Sequence, residues 1–372
     1  MPVNQLFILL SFVIGIGATA YIRTFDTHEK EPLFKMFIVV LWGGVWSIAM
    51  ATVAYLFVHL AGIRELNNFW GAVFVIGPVE EAAKFLALLS SCFIIKNDLN
   101  EPTDGLIYMA CVALGFSLIE NYFYATQTAQ SGILLFTRLF IATPAHILFS
   151  SFMGIAFFVL MRLKTGGGLL IVSFLYASLV HGLYDAIIFQ QWIFIFLILL
   201  MWSTWRWTLS MLSYTAAKSP FRPSLKGFIQ HYGKIERMNG IECLSCGDRS
   251  DKDTIRGHGF VIQRCGRCQS YVTTKPSLFR IFKFFGSGLD GLKKHYSAAT
   301  TGYRQYSTLY KGNQVSDDKR IAVFRLDELH QALIEFNQTI IDKFESRWWF
   351  PKRLRLANAS KVAGSNDEFV FE

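Results

Sequence analysis

A chain of 372 residues that is 52% hydrophobic and only 17% charged is too apolar for a single soluble domain, and its apolar residues are clustered. Runs of about 18 or more apolar residues read as membrane-crossing helices, which excludes a purely soluble or disordered chain. The formal net charge of +9 belongs mostly to the polar C-terminal half, where a basic surface suits anionic lipid headgroups; nucleic acid is not expected as a partner.

Seven runs have spanning length, roughly 4–22, 33–60, 69–95, 106–126, 134–161, 169–189 and 191–213. The first ends near Ala18-Thr19-Ala20, which resembles a signal-peptidase site. However, Met1 to Gln5 hold no Lys or Arg, and Arg23 follows the run. A signal peptide carries its charge in front, so a retained helix with its N-terminus outside is expected. The connections then placed inside, 23–35, 96–105 and 162–168, carry Arg23, Lys30, Lys35, Lys96, Arg162 and Lys164, whereas those outside carry only Arg64. That asymmetry supports the orientation and sets the half after Tyr214 in the cytoplasm. The expected fold is an all-α multi-pass membrane bundle over residues 1–213, a linker over 214–240, a small cytoplasmic zinc ribbon over 241–272 and a basic, α-rich tail over 273–372.

Ionisable residues within membrane helices are rare and mark functional sites. The third run carries Glu80, Glu81 and Lys84, within Gly77-Pro78-Val79-Glu80-Glu81-Ala82-Ala83-Lys84; Gly77 and Pro78 can bend the helix there. The fourth run carries Glu120 and Asn121, the fifth Arg138 and His146, and the sixth His181 and Asp185. Residues four apart share a helix face, so Glu80 pairs with Lys84 and His181 with Asp185, and Glu81, three before Lys84, is also within its reach. Adjacent Glu80 and Glu81 point about 100° apart and are expected to do different jobs. Pairing with Lys84 offsets only part of the desolvation cost.

This set suits a hydrolytic centre in two versions. His146, His181 and a carboxylate such as Glu120 can bind a catalytic zinc that activates water. Alternatively, a Glu is the general base and the His residues stabilise the oxyanion. A single His in a membrane helix is more often a packing residue. A proton- or cation-coupled transporter uses the same residue types, and a catalytically silent membrane sensor is a further alternative.

In the polar half, Cys243-Leu244-Ser245-Cys246 and Cys265-Gly266-Arg267-Cys268 form a CxxC-x18-CxxC pattern. Four thiolates from two short knuckles make a closed, structural zinc site, and a strand near Gly259 to Gln263 can link them. Cys92 and Cys111 read as packing residues. Residues 278–285 mix bulky apolar and basic side chains, fitting either an inner-leaflet helix or a core element. Residues 326–345 repeat apolar positions at helical spacing. Trp348, Trp349 and Phe350, followed by Lys352, Arg353 and Arg355, suit headgroups or the face of the ribbon. The tail after Asn358 is expected to be loose.

Taken in order, EEAAK at 80–84, FSLIEN at 116–121, His146 and HGLYD at 181–185 resemble the PrsW family of intramembrane endopeptidases, similar in turn to the CAAX- and bacteriocin-processing membrane proteases. Three residues depart from the wider pattern: Lys84 falls one residue early, Glu120 stands where a His is usual, and Asp185 replaces Asn. The resemblance implies that Glu80 and Glu81 are the paired catalytic glutamates. It implies further that Glu120, His146 and His181 are ligands or orienting groups, and that Asp185 positions water or His181. It also implies a membrane-anchored protein substrate, linked in bacteria to anti-sigma factors, and a place in the bacterial cytoplasmic membrane. The family has been treated both as metallopeptidase and as glutamic-type protease.

Overall fold

The computed structural model describes residues 3–126, 132–192, 194–222, 234–238, 243, 246–249, 252–257, 260–284 and 321–351. The tail after Asn358, the basic residues Lys352, Arg353 and Arg355, and Gly259 lie outside them. The described residues form two compact units. One runs up to Thr215 and includes the segment from Glu345; the other runs from Ala216 to Phe344.

The first unit is helical: α1 Val3–Arg23, α2 Leu33–Leu60, α3 Gly77–Ser90, α4 Pro102–Thr126, α5 Thr143–Leu163, α6 Gly167–Phe189 and α7 Phe194–Lys218. Among the described residues, six helices are long and apolar enough to cross a membrane: α1, α2, α4, α6, α7, and α5 together with the helical turns before it. The run at 69–95 differs from the expectation of one continuous span. It is divided into Phe69–Gly71, a π-helical turn at Ala72–Ile76, α3, and a short Cys92–Ile95 helix. Pro78 lacks an N–H and its ring crowds the carbonyl four residues back, which breaks the regular ladder there.

Helix α4 is central. Every residue from Pro102 to Ser117 is buried, and α1, α2 and α5 pack around it. Outward faces carry exposed Phe12, Leu41, Phe57, Phe74, Leu175 and Trp202, the apolar exterior that lipid requires. In the loop between α1 and α2, Asp26 and Glu31 are fully buried, and burial lifts both carboxyls above their ordinary range. After α7, the segment from Glu345 returns to the helices. The Tyr214 hydroxyl donates to Glu345 Oε1 at 3.2 Å, Phe350 lies edge-on to Tyr214, and Trp349 packs against Phe152. Trp349 and Phe350 therefore pack within the helical unit; Trp348 is exposed.

The second unit is a five-stranded antiparallel meander, β1 Lys234–Met238, β2 Lys252–Gly257, β3 Phe260–Arg264, β4 Ser270–Thr274 and β5 Ile321–Arg325, in that spatial order. It also contains α8 Lys275–Phe284 and α9 Leu326–Glu345. The sheet draws β1 from before the cysteine knuckles and β5 from well after them. Ile255 pairs with Ile262 and Ile262 with Thr273, which puts both isoleucines on the face that Leu278, Ile281, Phe282, Leu329 and Leu333 cover. The 278–285 stretch is thus resolved as a core helix over its described part.

Gly77 and Gly182 seat α3 against α6. A Cβ at Gly77 would collide with the Ser178 carbonyl and the Gly182 backbone, and one at Gly182 with Val73 and Ala72. Small residues let membrane helices approach this closely. Gly182→Leu should lower the stability of the purified protein by about 1–3 kcal/mol in thermal or denaturant unfolding. Gly17→Leu, where a Cβ meets nothing within 4 Å, should leave stability unchanged.

Candidate active site

Two of the helices that meet at the polar centre enter it by the same device. Before α3, the Gly77 N–H bonds the Ala72 carbonyl, five residues back. Before α5, the Thr143 N–H bonds the Arg138 carbonyl, also five back. In each case a proline, Pro78 or Pro144, follows directly. Single π turns recur at functional sites; here they precede Glu80, Glu81 and Lys84 on α3 and His146 on α5.

Glu81 is the hub. It is fully buried, and both of its oxygens are used. Oε1 accepts from Lys84 Nζ at 2.7 Å and meets His181 Nδ1 at 2.8 Å, while Oε2 accepts from the Ser150 hydroxyl at 2.7 Å. Lys84 Nζ also reaches His146 Nδ1 at 3.1 Å and lies 4.2 Å from the centre of the Phe116 ring. A lysine ammonium only donates, so His146 Nδ1 accepts and Nε2 carries the proton.

That Nε2 faces Glu120 Oε2 at 3.0 Å, and the same oxygen pairs with Arg138 Nη2 at 2.7 Å. Asn121 extends this half of the network: it accepts from Arg138 Nε at 3.0 Å and donates to Thr143 Oγ1 at 2.9 Å. The two halves meet where His146 and His181 stand edge to face with centroids 4.9 Å apart.

Glu80 is placed differently. The Tyr55 hydroxyl donates to its Oε1 at 3.0 Å. Its Oε2 is buried and accepts no hydrogen bond, facing His181 Nε2 at 3.5 Å and Lys84 Nζ at 3.9 Å. Asp185 Oδ2 approaches the same His181 nitrogen at 3.6 Å. With Nδ1 turned to Glu81, His181 directs Nε2 at two carboxylates.

All six catalytic candidates from the sequence, with Lys84 and Asn121, join this one connected cluster. The ligand atoms of Glu80, His146 and His181 lie within 4.8 Å of one another, a set that could hold a metal ion. It has Glu80 in the place for which Glu120 was considered; Glu120 is tied to Arg138. Tyr55, Ser150, Thr143 and the role of Arg138 were not foreseen. Thr143 and Ser150 lie three before and four after His146, on its helix face, and that spacing was a usable signal. Tyr55 had none.

In the second unit, Cys243 Sγ lies 3.6 Å from Cys268 Sγ, and Cys246 Sγ 3.7 Å from Cys265 Sγ. The four together form a group able to hold a metal ion. Burial pushes the Cys268 thiol up, but hydrogen bonds from the Ser270 hydroxyl and amide outweigh it and hold the thiol down at about 6, which favours the thiolate a metal needs. Cys92 and Cys111 are free thiols within the helical unit.

Comparison with known proteins adds an independent line. A family model described as PrsW family intramembrane metalloprotease matches residues 31–208, a stretch that holds the whole polar cluster and stops short of the four clustered cysteines. Protease PrsW of Clostridioides difficile (strain 630) is 30% identical over 219 residues, covering 56% of this chain and 90% of that protein. Protease PrsW of Geobacillus kaustophilus (strain HTA426) is 27% identical over 207 residues, covering 52% and 86%. Protease PrsW of Bacillus subtilis (strain 168) is 26% identical over 203 residues, covering 51% and 87%. No solved structure matches. With its apolar spanning helices and its ordered set of buried acids and histidines, the chain is an integral membrane protein and belongs to the PrsW family of intramembrane proteases.

Proposed function

We propose that this chain hydrolyses a peptide bond in or near the span of a membrane-anchored protein, with Glu80 as the carboxylate that meets the attacking water. One observation carries the assignment: both oxygens of Glu81 are occupied, whereas Glu80 Oε2 accepts no hydrogen bond and faces His181. Glu80 takes a proton from water as the water adds to the scissile carbonyl, and returns it to the leaving amine. Glu81 fixes the His181 ring and anchors Lys84. Glu120 and Arg138 fix His146. Asp185 holds the outer side of His181. An anti-sigma factor is the substrate type that the family resemblance suggests.

The donor set also fits a zinc ion. Glu80, His146 and His181 would hold it, with His146 giving up one of its present partners, and a zinc there would lower the pKa of a bound water to about 7. Asp185, on the same α6 face as His181, would then remain as the carboxylate able to serve as a proton acceptor. The four ribbon cysteines fit a closed tetrahedral zinc that is structural rather than catalytic. The distribution of basic connections supports an N-terminus outside and a cytoplasmic ribbon, and the family resemblance suggests a bacterial cytoplasmic membrane.

Cleavage of a membrane-anchored reporter by purified protein in liposomes tests the assignment. Glu80→Gln should reduce the rate by about 10²–10⁴-fold, and His181→Ala should also abolish most of it. Unchanged cleavage by both variants would remove this site from the reaction. Zinc analysis gives a separate outcome: replacing Cys243, Cys246, Cys265 and Cys268 by Ser should remove one equivalent. Zinc that persists in that variant and is lost on adding Glu80→Gln belongs to the active site.

A further inference from the structure

A second cluster of acids lies apart from the site above. It is built by the loop between α1 and α2, which carries Asp26, Glu29 and Glu31, and by the turn entering α4, which carries Asn100, Glu101 and Asp104. Asp26, Glu31, Glu101 and Asp104 are all fully buried. Ligand oxygens of Asp26, Glu101 and Asp104 lie within 4.8 Å of one another, and so do those of Glu29, Glu31 and Asp104. Asp104 is thus common to two overlapping sets. It lies 16 residues before Glu120 on the same helix, about 24 Å along the axis, so the two clusters are distinct.

Part of each group is satisfied internally. Asp26 accepts the backbone N–H groups of His28 and Glu29 on Oδ1 and of Glu31 on Oδ2. Asp104 Oδ2 accepts those of Asn100 and Glu101, each at 2.7 Å. Glu31 Oε2 accepts the Tyr108 hydroxyl. The remaining oxygens, Asp104 Oδ1 and Glu31 Oε1, are buried and have no hydrogen-bond donor, and the same holds for Asn100 Oδ1. Among the described residues, three basic side chains at this end of the bundle make contacts other than with these carboxyl groups. Arg23 Nε donates to the Glu31 carbonyl at 2.6 Å, Lys35 pairs with Asp98 at 2.5 Å, and Arg162 donates to the Leu99 carbonyl. Among the described residues, no Lys or Arg pairs with Asp26, Glu31 or Asp104.

Desolvated carboxylates this close repel one another and need a counter-charge. Backbone N–H groups supply part of it, but they leave oxygens facing other oxygens. The donors are all hard oxygens, and two overlapping sets of three carboxylates sharing Asp104 suit Ca²⁺, which takes several protein oxygens, better than Mg²⁺, which keeps its own waters. We infer that Asp26, Glu29, Glu31, Glu101 and Asp104, with the Asn100 carbonyl, bind Ca²⁺ and so tie the α1–α2 loop to the start of α4. A cation there fixes the central helix from one end, independently of the proteolytic chemistry. The competing arrangement is one proton shared between Glu31 and Asp104, whose carboxyls are close enough to hydrogen-bond each other.

Equilibrium dialysis with labelled CaCl₂ at neutral pH, on chelator-stripped full-length protein in detergent, distinguishes the two. The wild type should bind Ca²⁺ saturably, and Ca²⁺ should raise its unfolding temperature. Asp104→Asn should weaken binding by about tenfold or more, since ligand charge sets affinity. Glu29→Gln, at a partly exposed edge of the cluster, should weaken it without loss of fold, keeping the test valid if Asp104→Asn fails to fold. Glu80→Gln should bind Ca²⁺ like the wild type. Absence of saturable binding, binding unaltered by Glu29→Gln, or binding lost in Glu80→Gln would each overturn the inference. None of these readouts depends on peptide cleavage.

Discussion

The helical unit depends on closing the charge of Glu81 inside an apolar bundle. A carboxylate at 0% exposure is tolerated only if cations and donors surround it. Here Lys84, His181 and Ser150 come from α3, α6 and α5, so satisfying one carboxylate fixes three helices relative to one another. The second closure, Glu120 with Arg138 and His146, adds α4 and the turn before α5. Lys84 joins the two through His146 Nδ1. Once the two closures are made, Glu80 and Asp185 are the carboxylates left with their oxygens turned toward the imidazole rather than buried in pairs. Under the proposed assignment, structural and reactive roles are divided within a single helical turn.

Backbone geometry serves the same division. An unbroken α-helix through Phe69–Ser90 would run a regular i→i−4 ladder past Pro78, which cannot join it. The five-residue hydrogen bond from Gly77 to Ala72 absorbs the misfit, and the equivalent bond from Thr143 to Arg138 does so before Pro144. The second turn also begins at Arg138, whose carbonyl it engages while the guanidinium holds Glu120 and Asn121. Close approach at Gly77 and Gly182 brings α3 and α6 together within one turn of Glu81 and His181.

Much of this was legible in the chain. The apolar runs gave the helices, because lipid leaves few alternatives to a helix of spanning length. The i, i+4 rule gave the Lys84 and His181–Asp185 pairings, and the divergence of adjacent residues on a helix shows in the different partners of Glu80 and Glu81. Other features were not legible, for stated reasons. A π turn changes the register of a helix without changing its composition, so 69–95 read as one span. Tyr55 enters from α2 as a single residue with no periodic companion. Strands β1 and β5 are five residues each and far apart in sequence, and only pairing across the sheet identifies them. The buried acids near Asp104 sat in a stretch that composition marked as an ordinary polar connection.

In the proposed division of roles, Glu81 holds the fold while Glu80 meets the attacking water. Unfolding of Glu81→Gln and Glu80→Gln in detergent, compared with wild type under the same conditions, tests it most directly. Breaking a buried ion pair by removing one partner typically costs about 3–5 kcal/mol, so Glu81→Gln should lose stability on that scale while Glu80→Gln, which keeps the Tyr55 hydrogen bond, stays near wild type. Equal losses in the two variants, or a larger loss in Glu80→Gln, would contradict the division of roles.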